Sequence, residues 1–276
     1  MNESIHPKYT TVDGLSIRFA ESATVGPHAL LLSPWPESVF AFAQVWDELA
    51  RHAHLIAVDP PGFGQSQGRT ELMNPRAMGE FLVTIADQLE LENPHVVAPD
   101  IGTSSTLFAA AAHPERFRTL VVGSGGAVVP IQVTGVLKDW VESTDVTPFR
   151  EIGGRAVVDI SLGTIAGYTP SPQIREDYLV SYDGDRFADT VPYVQHYREQ
   201  LPMLAELLPG VQIPVRIVQG SADQVVPQVN AEYLGAQLPN SSVDFIDGAG
   251  HFCWEERPDQ YAALITEWWS REHKST

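Results

Sequence analysis

The chain has 276 residues, 43% of them hydrophobic, enough to bury one large core and to exclude the disordered class. A formal net charge of −18 repels phosphate backbones and anionic lipid, so no nucleic-acid and no membrane partner is expected. The single cysteine, Cys253, excludes an intrachain disulfide and a cysteine-based metal cluster, and it fits a reducing compartment.

Met1 to Ser4 is polar, with no basic stretch leading into an apolar one, so no secretory signal is expected. No apolar run approaches the roughly 18 residues of a membrane span, and a cytoplasmic protein is the expectation. Leu15 to Ala20 alternates as a strand does, and Ala29 to Leu32 is a continuous apolar run, as in a strand covered on both faces. Phe42 to Arg51 carries apolar residues at helical spacing. Leu55 to Val58 predicts a buried strand, stopped by Asp59-Pro60-Pro61-Gly62. Pro75 to Leu89 reads as a helix with Phe81, Ile85 and Leu89 on one face. His95 to Ala98 predicts a strand, Gly102 to Ala112 a small-residue helix, and Leu120 to Val122 the next strand.

From about Val128 to Leu208 this alternation stops. The segment is too long for a structureless loop, and it holds helix-compatible stretches at Val136 to Val141, Ile174 to Ser181 and Val194 to Leu208. The alternation resumes with a strand at Val215 to Val218, a helix near Gln228 to Leu238, a strand at Val243 to Ile246 and a helix from Pro258 to Arg271. The predicted fold is therefore α/β, a doubly wound, mostly parallel sheet with an inserted helical cap. Residues 1–127 and 209–276 form the core domain in this reading, and 128–208 the cap.

Ligands of such sheets bind beyond the carboxyl ends of the strands. There the chain places Ala98-Pro99-Asp100-Ile101-Gly102-Thr103, then Asp223 in Gly220-Ser221-Ala222-Asp223, then His251 in Gly248-Ala249-Gly250-His251. The first segment has the small-x-nucleophile-x-small form of a sharp strand-to-helix turn, with an acid in the nucleophile's place. Asp100 alone could merely cap the next helix, and His251 and Asp223 alone could be turn residues. All three together, each past a strand end, point to a catalytic triad of Asp100, His251 and Asp223. Two further loops follow strands, Ser33-Pro34-Trp35-Pro36-Glu37-Ser38 and Asp59 to Ser66. Pro34 has no N–H, so oxyanion donors are expected from the amides of Trp35 and Ile101.

These residues resemble the α/β-hydrolase superfamily over nearly the whole chain, in the order nucleophile, acid, histidine. Within it the chain is most similar to the aspartate-nucleophile branch of epoxide hydrolases and haloalkane dehalogenases. Trp35-Pro36-Glu37-Ser38 resembles the tail of the His-Gly-aromatic-Pro-Glu-Ser motif of epoxide hydrolases, and Asp59 to Ser66 their Asp-x-Pro-Gly-x-Gly-x-Ser stretch. His113-Pro114-Glu115-Arg116-Phe117 matches the Pro-Glu-Arg segment that ends the helix after the nucleophile, and Tyr197-Arg198 resembles a Tyr-Arg pair in which tyrosine helps open the epoxide. The resemblance implies a cis peptide before Pro36. It departs at Ser33-Pro34, where the family has His-Gly, and at Ile101, where dehalogenases have a halide-binding tryptophan or a carboxylate-binding arginine.

The implied reaction is attack by Asp100 on a saturated carbon, giving an ester that water activated by His251 then cleaves. Tyr197, Trp140 and Tyr168 are the candidate substrate-binding residues, for a small, apolar molecule. No metal or organic cofactor is expected: the nine histidines lack ligand spacing, and no Gly-rich phosphate loop follows the first strand. A homodimer stays open as an oligomeric state. Two other readings also stay open. One is an ester, lactone or C–C hydrolase in which Asp100 acts as a base, or Ser104 or Ser105 replaces it. The other is a non-catalytic binder that keeps the pocket.

Overall fold

Apolar runs bounded by Pro, Gly and Asp become the strands of one sheet in the structure, a computed structural model that describes residues 5–271. The polar tetrapeptide 1–4 lies outside the described residues. The strands are β1 (Lys8–Val12), β2 (Leu15–Glu21), β3 (His28–Leu32), β4 (His54–Val58), β5 (His95–Pro99), β6 (Thr119–Gly123), β7 (Val215–Gly220) and β8 (Ser241–Ile246). Their spatial order is β1-β2-β4-β3-β5-β6-β7-β8. From β4 to β8 every pairing is parallel, whereas β1 pairs antiparallel with β2, and β2 with β4. Ahead of Leu15 the sequence predicts only a short extended stretch without bounds, and β1 forms there. Asp13 and Gly14, both with positive φ, make the tight two-residue turn that a twisted hairpin prefers.

β5, β6 and β7 are buried along their whole length, as their unbroken apolar runs require of central parallel strands. Helices α1 (Trp46–Leu49), α2 (Pro75–Gln88), α3 (Ile101–Ala112), α10 (Val229–Gln237), α11 (Cys253–Glu256) and α12 (Pro258–Ser270) belong to this sheet layer. Numbering in chain order leaves α4 (Gly135–Glu142), α5 (Thr147–Ile152), α6 (Gly154–Leu162), α7 (Pro172–Ser181), α8 (Arg186–Gln195) and α9 (Tyr197–Leu207) as a helical insertion between β6 and β7. Among the described residues, no helix is long and apolar enough to cross a membrane.

Two helical expectations change. The stretch from Phe42 to Arg51 is not one helix but a 3-10 turn at Val39–Phe42 followed by the single turn of α1. Its apolar spacing is still used, since Phe42, Val45, Trp46 and Leu49 are all buried. The stretch from Val194 to Leu208 is split between α8 and α9. The Pro192 carbonyl accepts both the His196 amide and, at 2.7 Å, its ring Nδ1, which closes α8 before the chain restarts at Tyr197.

β3 leads to β4 on one side, and the chain then crosses back to β5 on the other. The carboxyl ends of β3 and β5 therefore flank the switch point, where such sheets open a crevice. Trp35 and Asp100 follow those two ends.

Candidate active site

The turn from β5 into α3 is tight because its neighbours are small. A Cβ on Gly102 would lie 3.0 Å from the Ala98 Cβ, and one on Gly125 would lie 2.5 Å from the Asp100 carbonyl. Thr103 pins the turn to β6, its hydroxyl donating to the Gly123 carbonyl at 2.9 Å. Asp100 sits at the corner with φ 54° and ψ −123°, a conformation that costs a non-glycine residue about 1–3 kcal/mol and is tolerated chiefly at functional sites.

Its side chain does not cap α3, so the simple capping role is not what the residue does here. Instead the Trp35 amide donates to Asp100 Oδ2 at 2.7 Å, and His251 Nε2 stands 3.7 Å from Asp100 Oδ1. The peptide before Pro36 is cis, as the resemblance implied. Ile101 opens α3, so its N–H is one of the first-turn amides that no carbonyl within the helix can take.

Asp223 and His251 arrive from the loops after β7 and β8. Asp223 Oδ1 accepts from the amides of Val225 and Val226 at 2.8 and 2.9 Å, which fixes its carboxylate plane. Its Oδ2 is 3.0 Å from His251 Nδ1. Burial disfavours the imidazolium, but the Asp223 and Asp100 carboxylates together outweigh it and push His251 up to about 10. The ring therefore rests as a cation between two carboxylates.

The tyrosines of the insertion divide by what their hydroxyls already hold. Tyr178 donates to Glu255 Oε1 at 2.9 Å, Tyr182 to the Glu37 carbonyl at 3.0 Å, and Tyr193 to the Ile101 carbonyl at 2.8 Å. Tyr197 is buried against Tyr193 with ring centroids 5.9 Å apart. Burial raises its pKa well above the usual range, Tyr193 and the Asp100 charge add to that, and its hydroxyl lies beside Ser104. Tyr168 is half-buried and is pushed up to about 12 by burial and by Glu255 and Glu37, so it borders those acids. Trp140 meets the Trp35 ring edge-on at 4.9 Å, while Phe187 stacks on Trp35 at 4.9 Å. An aromatic wall from the insertion thus covers the residue whose amide holds Asp100.

Two buried acidic clusters were not anticipated as such from the sequence. Arg18 on β2 pairs with Asp177 on α7 at 2.5 Å and with Asp59 at 3.4 Å. Ser38 and Gln65 also donate to Asp177, so one carboxylate of the insertion gathers β2 and the loops after β3 and β4. Burial, opposed by Arg18, pushes Asp59 up to about 6. The second cluster joins Glu37, Glu255 and Tyr178. The motifs named Glu37 and Asp59, but nothing in sequence periodicity distinguishes a buried acid from an exposed one.

A strained strand-to-helix turn, an acid and a histidine, each beyond the carboxyl end of a strand in a mostly parallel sheet, define a hydrolase of the α/β type. Residues 28–264 match the model of the Alpha/beta hydrolase family, and the chain belongs to that family. It is 24% identical over 282 residues to the uncharacterized hydrolase YugF of Bacillus subtilis, covering 96% of this chain and 98% of that protein. It is 27% identical over 232 residues to 2-hydroxy-6-oxononadienedioate/2-hydroxy-6-oxononatrienedioate hydrolase 2 of Pseudomonas putida, covering 79% of this chain and 78% of that protein. Among solved structures, the haloalkane dehalogenase DatA of Agrobacterium tumefaciens shares the fold with a TM-score of 0.82 and 17% identity, over 98% of this chain and 97% of that one.

Proposed function

We propose that the chain hydrolyses epoxides of small, apolar molecules through an ester formed on Asp100. The observation that carries this reading is the division of labour between the two Asp100 oxygens. Oδ2 is held by the Trp35 amide at 2.7 Å, while Oδ1 faces His251 at 3.7 Å.

Oδ1 attacks an epoxide carbon, and the C–O bond breaks with its electron pair going to the epoxide oxygen. Tyr197, whose hydroxyl the Asp100 charge reaches, donates a hydrogen bond to that oxygen, which takes its proton from His251. Alkylation itself promotes this transfer, because it removes one of the two negative charges that hold the imidazolium. The neutral His251 then takes a proton from water, and the hydroxide attacks the Asp100 carbonyl carbon. The oxyanion forms on Oδ2, already in reach of the Trp35 amide, and the free first-turn amide of Ile101 is the second donor. Cleavage of the acyl–oxygen bond releases a diol and regenerates the carboxylate, with one water consumed.

A second reading, hydrolysis of an ester, lactone or C–C bond, is favoured by the named Pseudomonas putida relative. In it Asp100 acts as a base, since Ser104 and Ser105 lie within α3 rather than on the turn. Mass spectrometry of a His251→Gln variant exposed separately to epoxides, alkyl halides and activated esters decides between the two. An adduct on the Asp100 peptide from the epoxide panel is the expected result. No adduct from any panel, with esters or lactones turned over by the native enzyme, sinks the covalent mechanism.

A further inference from the structure

Glu37, 0% exposed, lies two residues past the Trp35 amide, and Glu255, 2% exposed, lies four residues past His251. Glu37 Oε2 accepts from Trp254 Nε1 at 2.8 Å. Its main-chain carbonyl accepts the Tyr182 hydroxyl, and its amide donates to the Pro34 carbonyl at 3.0 Å. Glu255 Oε1 accepts the Tyr178 hydroxyl, and its main-chain carbonyl accepts Gln44 Nε2 at 2.9 Å. The remaining oxygens, Glu37 Oε1 and Glu255 Oε2, are buried with no donor, although the two carboxyl groups are within hydrogen-bonding reach of each other.

None of the side chains bonded to the pair is a cation. Two adjoining buried carboxylates cannot both stay ionised without a penalty of several kcal/mol. One proton between them gives both orphan oxygens a partner at once.

We propose that Glu37 and Glu255 share a proton, and that this acid pair clamps the loop carrying Trp35 to the loop carrying His251. Glu37 is then a positioning residue, since it has no exposure through which to touch substrate. The inference rests on Asp100 and His251 forming the site but not on which bond they cleave. Burial first, and then Glu255, holds the Glu37 carboxyl well above its ordinary range, while burial pushes Glu255 up to about 7. As the pH rises past about 7 Glu255 ionises first and Glu37, raised further, keeps the remaining proton.

Every group facing the pair agrees with that state. Tyr178 and Tyr168 of the insertion both stay protonated, their pKa values raised by burial and by these acids. Glu256 is tied to the Gly250 amide at 2.7 Å, and the Asp100 charge further disfavours an ionised Glu37. Loss of the last proton sets two negative charges against each other and drives the two loops apart.

Infrared spectra of the whole protein in heavy water at mildly alkaline pH, above the value of about 7 for Glu255, test the shared proton without any substrate. A protonated-carboxyl band is expected in the native protein and absent in Glu37→Gln, whose amide N–H replaces that proton. The same variant should keep KM and hold kcat within about threefold at neutral pH. Glu37→Ala should lower kcat by ~10–100-fold with little change in KM, as a small misplacement of the oxyanion donor does. A native spectrum without the band, a band that survives in Glu37→Gln, or native kcat in Glu37→Ala would each overturn the proposal. The adduct experiment on Asp100 does not involve Glu37, so the two readings fail separately.

Discussion

Asp223→Asn separates the orientation of His251 from its charge. In the native site Asp223 Oδ1 is saturated by the Val225 and Val226 amides, and Oδ2 faces His251 Nδ1 at 3.0 Å. Asparagine keeps the two amide bonds only with its carbonyl in the Oδ1 place, which turns its NH2 toward Nδ1. The flipped alternative would leave two buried amides unpaired, at roughly 1–3 kcal/mol each. The side chain is thus locked, and Nδ1 must become the acceptor, which moves the ring proton to Nε2. A neutral ring protonated there has no lone pair for water. General-base catalysis is worth about 10²–10⁴-fold, or roughly 3–5 kcal/mol of barrier. The larger loss falls on hydrolysis of the ester, because attack by Asp100 needs no base and the Nε2–H still donates to the epoxide oxygen, which then takes its proton from water. Rapid-quench mass spectrometry should therefore show the ester forming faster than it is cleaved and then persisting, with turnover slowed by that factor. Turnover within about tenfold of native, with no accumulated adduct, would refute the role given to Asp223.

Two further outcomes follow from buried charge. Arg18→Ala leaves Asp59 and Asp177 without their cation, which should destabilise the fold by about 3–5 kcal/mol in urea unfolding. A loss under about 1 kcal/mol would mean that the insertion is held by apolar packing alone. His251 has a folded pKa of about 10, above its ordinary 6.5. Its contribution to stability is complete below pH 6.5 and is lost as the pH rises through about 10. The urea midpoint of the native protein should fall over that window and fall less in His251→Gln, and parallel curves for the two proteins would contradict the pairing.

Much of the site could be read without coordinates, because each of its parts is local. Asp100, Asp223 and His251 lie just past strands whose apolar runs are short and uninterrupted, and Ala98 and Gly102 are small for a reason that the turn makes plain. The motif Trp35-Pro36-Glu37-Ser38 carried the cis peptide with it. Local pattern failed where long-range packing decides. Gln195 and His196 continue a helical pattern, yet the structure breaks there into two helices. Tyr178, Tyr182, Tyr193 and Tyr197 look alike in sequence, yet three of the four spend their hydroxyls on Glu255, Glu37 and Ile101.

The sequence by itself determined the layer order of the fold and the identity of the three groups at the strand ends. Both follow from periodicity and turn chemistry within a few residues. Only the tertiary structure decided how those groups are held. The Trp35 amide meets Asp100 across 65 positions, and Trp254 meets Glu37 across 217. Such contacts are made by the crossover from β4 back to β5 and by the return of the chain through β7 and β8. The protonation of Glu37 and Glu255 depends on the burial that this topology creates, because desolvation acts on a carboxyl only once its surroundings have closed over it.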